Sequence, residues 1–569
     1  MHLDQLIEEI GSFGKFQILV IFMVMVPKVA IGYNMLIMSY GAYVTDWWCV
    51  DDAMSNNSRN NVTYKYCSSD DNSTCSRVYD EYTRTVVTEW DLMCERKWIT
   101  PIITSIQMAG VLVGAVIAGQ SADTFGRKKT FYITLLLHSI LTVAIAFVTS
   151  WQAFAALRCL IGASMGSYLV VSVFPMEFLG FKGRTVMSLI PTFATGVCLL
   201  ALVTWWLHDW TSAHIFGGVF TVPFLLGWFV VPESIRWLTV KGKLDEAEKV
   251  LERVAMMNGR DKPDNTREII IKISNERRES TMGGKRYSYL DLYRGWKMAK
   301  HSIVIQVTWW CTAASVYGFA FGIGQLSGNF YLNLFLMYIL EFPIFIPVIY
   351  ALNRLGRRTV ATIMYGAGTM SCVAVIIIQN TVTFGYKGIM ITTLSLAARL
   401  FSTMAWAGVV IITTESYPTV IRNLGYGAAN TAARIGGIVA PFIFTPGGNE
   451  TIPYIIVIVL LGLSGVLTRL FLPETLGLAM EDVVQVDQEG GEETKETPVN
   501  GHPFKETPAN GHPFKETPAN GHPFKETPAN GHPFNETPNL TNRQSNKGEG
   551  NKNDNRRPII SLLTENTRL

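Results

Sequence analysis

The sequence predicts an all-α membrane protein of twelve transmembrane helices, six plus six, with a large polar loop after the first span and a tail of different composition. Three observations predict it. Twelve apolar windows of about 18–25 residues punctuate the chain, the length a helix needs to cross hydrocarbon. A short basic turn between two of them, Gly119-Gln-Ser-Ala-Asp123-Thr-Phe-Gly126-Arg127-Lys128-Lys129, returns as Asn353-Arg354-Leu355-Gly356-Arg357-Arg358 between two others, an offset of 230 residues from Gly126 to Gly356. Finally, 49% of the 569 residues are hydrophobic and 16% charged, against roughly 25% charged in soluble domains.

The windows are 16–37, 99–119, 130–149, 151–173, 186–207, 214–231, 302–322, 330–350, 359–378, 388–412, 423–446 and 452–472. Most are continuous rather than strictly alternating, which argues against a lipid-facing β-barrel. Lys and Arg crowd the two turns and the segment 232–300, whereas Ala42 to Trp98 carries more acid than base. The basic side is expected to face the cytoplasm, with both termini there. Residues 1–15 hold Asp4, Glu8 and Glu9 and have no basic start followed by an apolar core, so no cleaved signal peptide is expected. The expected units are a cytoplasmic start 1–15, a first bundle 16–231 containing the loop 42–98, a linker 232–301 with interfacial helices, a second bundle 302–472, and a cytoplasmic tail 473–569.

The first loop holds Cys49, Cys67, Cys75 and Cys94, which read as two disulfides in an oxidising space, with three pairings open. Asn56, Asn61 and Asn72 each begin a glycosylation triplet in the same loop. Cys159, Cys198, Cys311 and Cys372 fall in apolar spans and read as buried thiols.

Gly162 and Gly166, four apart, place small residues on one face for close helix packing. Arg158, Glu177 and Arg184 in the fourth span and its exit are echoed by Arg399, Glu415 and Arg422 in the tenth. Together with Asp123, Gly126, Arg127, Gly356 and Arg357 they are read as a cytoplasmic-side gate of ionic contacts, static packing being the competing reading. Val231-Pro-Glu-Ser and Pro473-Glu-Thr475 mark equivalent exits after spans six and twelve. From Lys495 a decapeptide Lys-Glu-Thr-Pro-Ala/Val-Asn-Gly-His-Pro-Phe repeats, too polar and too rich in Pro and Gly to build a core.

Duplicated halves suit a transporter whose shared site opens to each side in turn. Substrate contacts are expected from mid-span polar and aromatic groups: Lys28 and Tyr33 in span one, Trp310 and Tyr317 in span seven, Glu341 in span eight and Arg434 in span eleven. An aromatic face attracts an organic cation, Glu341 favours a positive centre and Arg434 a carboxylate; a structural Glu–Arg pair is the alternative.

Around these residues the chain resembles the organic cation, carnitine and organic anion transporter family of the major facilitator superfamily. The likeness rests on the Cys- and Asn-rich loop, Ala122-Asp123-Thr-Phe-Gly126-Arg127-Lys128, Val231-Pro-Glu-Ser-Ile-Arg-Trp-Leu and Thr414-Glu-Ser-Tyr-Pro-Thr-Val-Ile-Arg422-Asn. It covers about 1–480 and leaves out the decapeptide tail. The resemblance implies plasma-membrane uptake or exchange of small organic ions. The position matched by Arg434 is commonly aspartate in cation carriers and arginine in anion and carnitine carriers. Glu341-Phe-Pro-Ile-Phe345 instead resembles the cation and carnitine pattern, with Phe345 where anion carriers often have lysine. Organic cations, including carnitine-like zwitterions, are therefore the first expectation and organic anions the second.

Other classes fit less well. A net charge of +3 from 48 basic and 45 acidic residues gives no footprint for nucleic acid. No Gly-x-x-x-x-Gly-Lys-Ser/Thr loop, compact metal signature or coherent Ser/His/acid set is found, so neither a cofactor, a metal nor enzymatic activity is expected. A non-transporting receptor or scaffold is the different-class alternative. Expected partners are small organic ions and membrane lipids; no sequence signal speaks to oligomeric state.

Overall fold

The structure, a computed structural model, describes residues 3–476 apart from 12, 52–74, 181–182, 185–186, 188–189, 284–287, 384, 419–420 and 445–449. Asn56, Asn61, Asn72, Cys67 and the decapeptide repeats lie outside the described residues.

Twelve spanning segments follow one another: α1 Lys15–Gly41, α2 Ile99–Phe125, α3 Arg127–Ala144, α4 Trp151–Val171, α5 Thr192–Leu207, α6 beginning at Trp210–Val219, α7 Trp296–Phe321, α8 Phe330–Leu355, α9 Arg357–Thr381, α10 Lys387–Ser416, α11 Arg422–Val439 and α12 Ile452–Phe471. Ten are long and apolar enough to cross a membrane; α5 is shorter, and α11 carries Arg422 and Arg434.

Prolines account for most differences from the apolar windows. A proline offers no N–H to the carbonyl four residues earlier. Pro223 withholds that bond from Val219, where the first piece of α6 stops before 3₁₀ turns resume at Val222–Leu226. Pro343 does the same to Ile339, and α8 breaks there into Phe330–Ile339 and Glu341–Leu355. Pro191 stands at the start of α5, so the helix begins six residues after the window 186–207 does.

The first half holds together by backbone-close contacts. On α2, a Cβ at Gly110 or Gly114 would collide with the carbonyl of Cys159 or Ala163. On α4, a Cβ at Gly162 or Gly166 would strike the carbonyl of Gln107 or Val111. The same device joins α1 to α5, where Gly32 faces the carbonyl of Phe193 and Gly196 that of Val29.

The loop between α1 and α2 contains an antiparallel pair, β1 Trp47–Asp51 and β2 Cys75–Tyr79, and Cys94 is disulfide-bonded. It is tied to the bundle through Arg84, whose side chain meets Glu89 at 2.8 Å and Asp209 at 3.6 Å and whose carbonyl accepts from the Tyr40 hydroxyl at 3.1 Å.

The linker does not lie as a free interfacial strip. Helices Ile235–Val240, Leu244–Asn258 and Thr266–Gly283 pack on one another, and the short helix Leu3–Glu9 joins them. Ala247, Leu251, Val254 and Ala255 are buried with Leu6, Ile7 and Ile10, so the apolar face of Leu244–Asn258 is covered by protein. Asn258 pins the chain start by donating to the carbonyls of Ile10 and Gly11 at 3.1 and 3.2 Å and accepting from the Phe16 amide at 3.2 Å.

Two outcomes are expected. Gly114→Ala forces α2 and α4 apart and lowers thermal stability by about 1–3 kcal/mol, read by melting of the purified protein. Lys262 and Arg267, at 2.8 and 2.7 Å, hold the Glu248 carboxyl below its usual 4.5. A depressed folded-state value means that this contribution is present above the usual carboxylate range and lost as pH falls through the lower one. Amide-exchange protection of residues 244–275 is therefore steady from neutral pH down to the usual carboxylate range and drops below it.

Candidate functional site: a central cleft and two capped turns

Each basic turn begins a helix, and each helix start is capped by a carboxylate from the far end of its own half. Gly126 adopts φ +111° and Gly356 φ +93°, conformations that suit glycine. A Cβ on either would collide with the carboxylate of Glu233 or Glu474. Glu233 Oε1 accepts from the backbone N–H of Arg127 and Lys128 at 2.8 and 3.0 Å, and Glu474 Oε1 from that of Arg357 at 2.8 Å. A negative charge there satisfies orphan donors and meets the positive end of the helix dipole.

Side chains extend each cap. Arg127 pairs with Asp123 and lies 3.5 Å from Glu177, which accepts from the Ser234 hydroxyl; Arg357 pairs with Glu415 at 3.4 Å. Arg184 donates to the carbonyl of Met176 at 3.0 Å, as Arg422 does to that of Tyr417 at 3.3 Å. The structure thus brings together Asp123, Gly126, Arg127 and Glu177 in one half and Gly356, Arg357 and Glu415 in the other. The sequence reading missed Glu233 and Glu474 as members; the repeated Pro-Glu-Ser and Pro-Glu-Thr were the signal.

Arg158 and Arg399 do not belong to these turns. At 1.5 Å per residue, Arg158 stands about 20 Å below the end of α4 at Val171, beyond which Glu177 lies, and Arg399 about 24 Å from Glu415 on the same helix. Arg158 is buried against His214 of α6, with Nη2 and Nε2 3.0 Å apart. Arg399 is buried beside Glu341, with which it forms an ion pair; it also donates to the Met337 carbonyl at 2.9 Å and lies 4.0 Å over the Tyr338 ring. Glu341 is therefore engaged within the second half rather than a free acid awaiting a cation.

Tyr33 is also corrected. Its hydroxyl donates to the Ala213 carbonyl at 2.7 Å and its ring packs on Phe216 and Gly217, away from the second half.

The halves meet mainly near the end that carries the Cys-rich loop. Ser39 donates to the Ala320 carbonyl at 2.9 Å and Ser105 to that of Ile438 at 2.6 Å, while the Tyr43 ring lies 4.6 Å from Phe330. Deeper in, Tyr317 reaches across from α7, its hydroxyl 3.6 Å from Met35 Sδ on α1. It stacks on Phe321 at 6.3 Å and meets the edge of Trp406 at 6.5 Å; Trp406 in turn meets Trp309, which donates to Thr413 at 2.9 Å. Trp310 is half-buried one residue on. Trp406 was invisible to the sequence reading because nothing marks one tryptophan of an apolar span as facing the cleft.

Lys28 and Arg434 complete the set. Both are half-buried at the middle of their helices, and neither forms a hydrogen bond or ion pair with a described residue. A charge removed from water in the middle of a span is expensive unless it faces a cavity or a ligand.

Two six-helix halves packed face to face, with cations in mid-span that form no ion pair with a described residue, are the architecture of a secondary transporter. The comparisons agree. The sugar (and other) transporter family profile matches residues 20–486. The chain is 32% identical over 442 residues to solute carrier family 22 member 16 of Xenopus laevis, spanning 76% of each chain. It is 30% identical over 429 residues to organic cation/carnitine transporter 2 of Homo sapiens, spanning 74% of each, and 30% over 433 residues to the organic cation transporter protein of Drosophila melanogaster, spanning 74% of this chain and 78% of that one. The inward-open xylose transporter XylE from E. coli superposes with a TM-score of 0.57 at 16% identity, over 82% of this chain and 98% of that one, a likeness of fold. The chain belongs to the sugar (and other) transporter family of the major facilitator superfamily, in its organic cation, carnitine and organic anion branch, solute carrier family 22.

Glu341→Gln leaves Arg399 buried without a counter-charge and is expected to cost about 3–5 kcal/mol, read as loss of folded yield and a lower melting temperature. Replacing both by methionine restores much of that stability. Unchanged melting of Glu341→Gln would mean that the pair is not structural.

Proposed function

We propose that this protein moves small organic ions across the plasma membrane by alternating access, and that its preferred substrate is a carboxylated ammonium of the carnitine type. The observation that carries the reading is the charge balance of the cleft: Glu341 is neutralised by Arg399, while Lys28 and Arg434 form no ion pair with a described residue. A carboxylate has a partner in Arg434, whose planar fork suits it. The ammonium end has the aromatic faces of Trp310, Tyr317 and Trp406 rather than a free acid. Relatives named for organic cation and carnitine transport support the same class.

A second reading, an organic anion carrier, draws on the same two unpaired cations. In both readings the Cys-rich loop is extracellular and the termini and linker cytoplasmic, so the contacts at Ser39, Ser105 and Tyr43 close the extracellular side. The ionic turns around Glu177 and Glu415 then act as couplings that keep each half rigid while it rocks, with lipid around them.

Purified protein in vesicles, given labelled carnitine, a quaternary ammonium and an aromatic carboxylate in parallel, tests the choice. Saturable carnitine flux exceeding both others is expected; flux of the aromatic carboxylate alone would establish the second reading. Arg434→Asp should cut carnitine flux by 100-fold or more, about 3 kcal/mol, while sparing or raising flux of the quaternary ammonium. Equal losses for all three would place Arg434 in the scaffold.

A further inference from the structure

Arg158 is a full charge buried inside the first half, and among the described residues no acid pairs with it. Its side chain is 0% exposed, lies over Phe154 at 5.3 Å and donates from Nη2 to His214 Nε2. His214 Nδ1 sits 2.6 Å from the Trp210 carbonyl, so that nitrogen carries the proton and the ring meets Arg158 as a neutral acceptor. Nε and Nη1 of Arg158 have no partner, nor has the indole N–H of Trp210. The Trp210 ring lies in the same cluster, 5.5 Å from Phe154 and 5.6 Å from His214. Asp209, the residue before Trp210, bonds through Oδ2 to the Ser212 amide and hydroxyl at 2.9 and 2.7 Å and to Thr211, and its Oδ1 lies 3.6 Å from Arg84.

The duplicated half supplies the comparison. There the buried arginine of the tenth span, Arg399, is matched by Glu341 on α8. The offset of 230 that aligns the two turns brings Val111 to the place of Glu341, and α2 holds no acid before Asp123 at its far end. The first half therefore has the cation without the fixed anion, and buried charges are paired or they are not tolerated.

We propose that a small monovalent inorganic anion of the size of chloride binds between α4 and α6, held by the guanidinium of Arg158 and the indole N–H of Trp210. Nε and Nη1 of Arg158 and Nε1 of Trp210 are all N–H donors, which fits an acceptor-only ligand. A weakly hydrated guanidinium on an aromatic face suits a halide better than a strongly hydrated oxyanion. The ion completes the charge balance of the half and does not require the substrate cleft.

The test is melting of the full-length protein in lipid nanodiscs, in sodium chloride and in sodium gluconate at equal ionic strength. Chloride is expected to raise the melting temperature saturably by about 3–6 °C. Arg158→Met removes the cation and His214→Glu supplies a fixed counter-charge; both should abolish the response, and the second keeps the test open where the first fails to fold. Arg434→Gln, which alters the central cleft instead, should retain it. Equal melting in the two salts, a response that survives His214→Glu, or one lost in Arg434→Gln would each overturn the proposal. Bromide soaked into crystals should give an anomalous peak beside Arg158.

Discussion

A charge inside a membrane bundle must find an opposite charge, a dipole or a ligand, and this constraint orders most of the polar chemistry of the chain. Hydrocarbon offers no water to share the cost, so each buried ion shapes the helices around it. Glu233 and Glu474 show the rule at helix starts: each carboxylate sits where backbone N–H groups would otherwise go unmet, and the price of a glycine conformation at Gly126 and Gly356 is met by that capping. Arg399 and Glu341 show it in mid-span, where Arg399 also bridges the break that Pro343 makes in α8, holding Glu341 on one piece and the Met337 carbonyl on the other.

Seen this way, the two halves are similar in their ends and different in their interiors. Both turns are capped alike, and both arginines after spans four and ten donate to a nearby carbonyl. Inside, the second half pairs its buried Arg399 with Glu341, whereas the first keeps Arg158 on a neutral histidine and adds His138 between Asn34 and Ser164 at 3.1 and 3.2 Å. A duplicated fold permits this divergence because the close backbone contacts, such as α2 on α4 through Gly110, Gly114, Gly162 and Gly166, do not depend on which polar groups fill the remaining space.

How much of this could be read beforehand follows from what a sequence encodes locally. Span number and the repeated turns were legible, because hydrocarbon thickness fixes length and because Gly126-Arg127 and Gly356-Arg357 are local signals. Helix breaks were only half legible: Pro343 was in plain view, but whether it kinks or interrupts α8 depends on neighbours. The central residues divided. Tyr317 does reach the other half, whereas Tyr33 faces α6, since a tyrosine in a continuously apolar helix gives no sign of which neighbour it faces. Arg158 and Arg399 were grouped with Glu177 and Glu415 by sequence order, and the linear rise of a helix carries them too far away. Glu341 and Arg399 are 58 residues apart in the chain, so their pairing exists only in the packed bundle.

The distribution of strong contacts also bears on movement. The ion pairs and carboxylate caps of the two turns and of the spans lie within one half or the other, and among the described residues the hydrogen bonds that cross between halves are single ones to backbone carbonyls, from Ser39, Ser105 and the Cys198 thiol, or a weak contact from Tyr317 to a thioether. A boundary of this kind can part without exposing an unpaired buried charge, whereas each half would have to break a buried or partly buried ion pair to deform. The energetic contrast makes rigid-body rocking the low-cost motion of this fold and local remodelling the expensive one. It follows that a ligand spanning Arg434 of α11 and the aromatic face of α7 would contact the second half alone unless Lys28 of α1 also engages it; a substrate that touches both halves is the one whose binding free energy can differ between their two arrangements, and without that difference no population shifts.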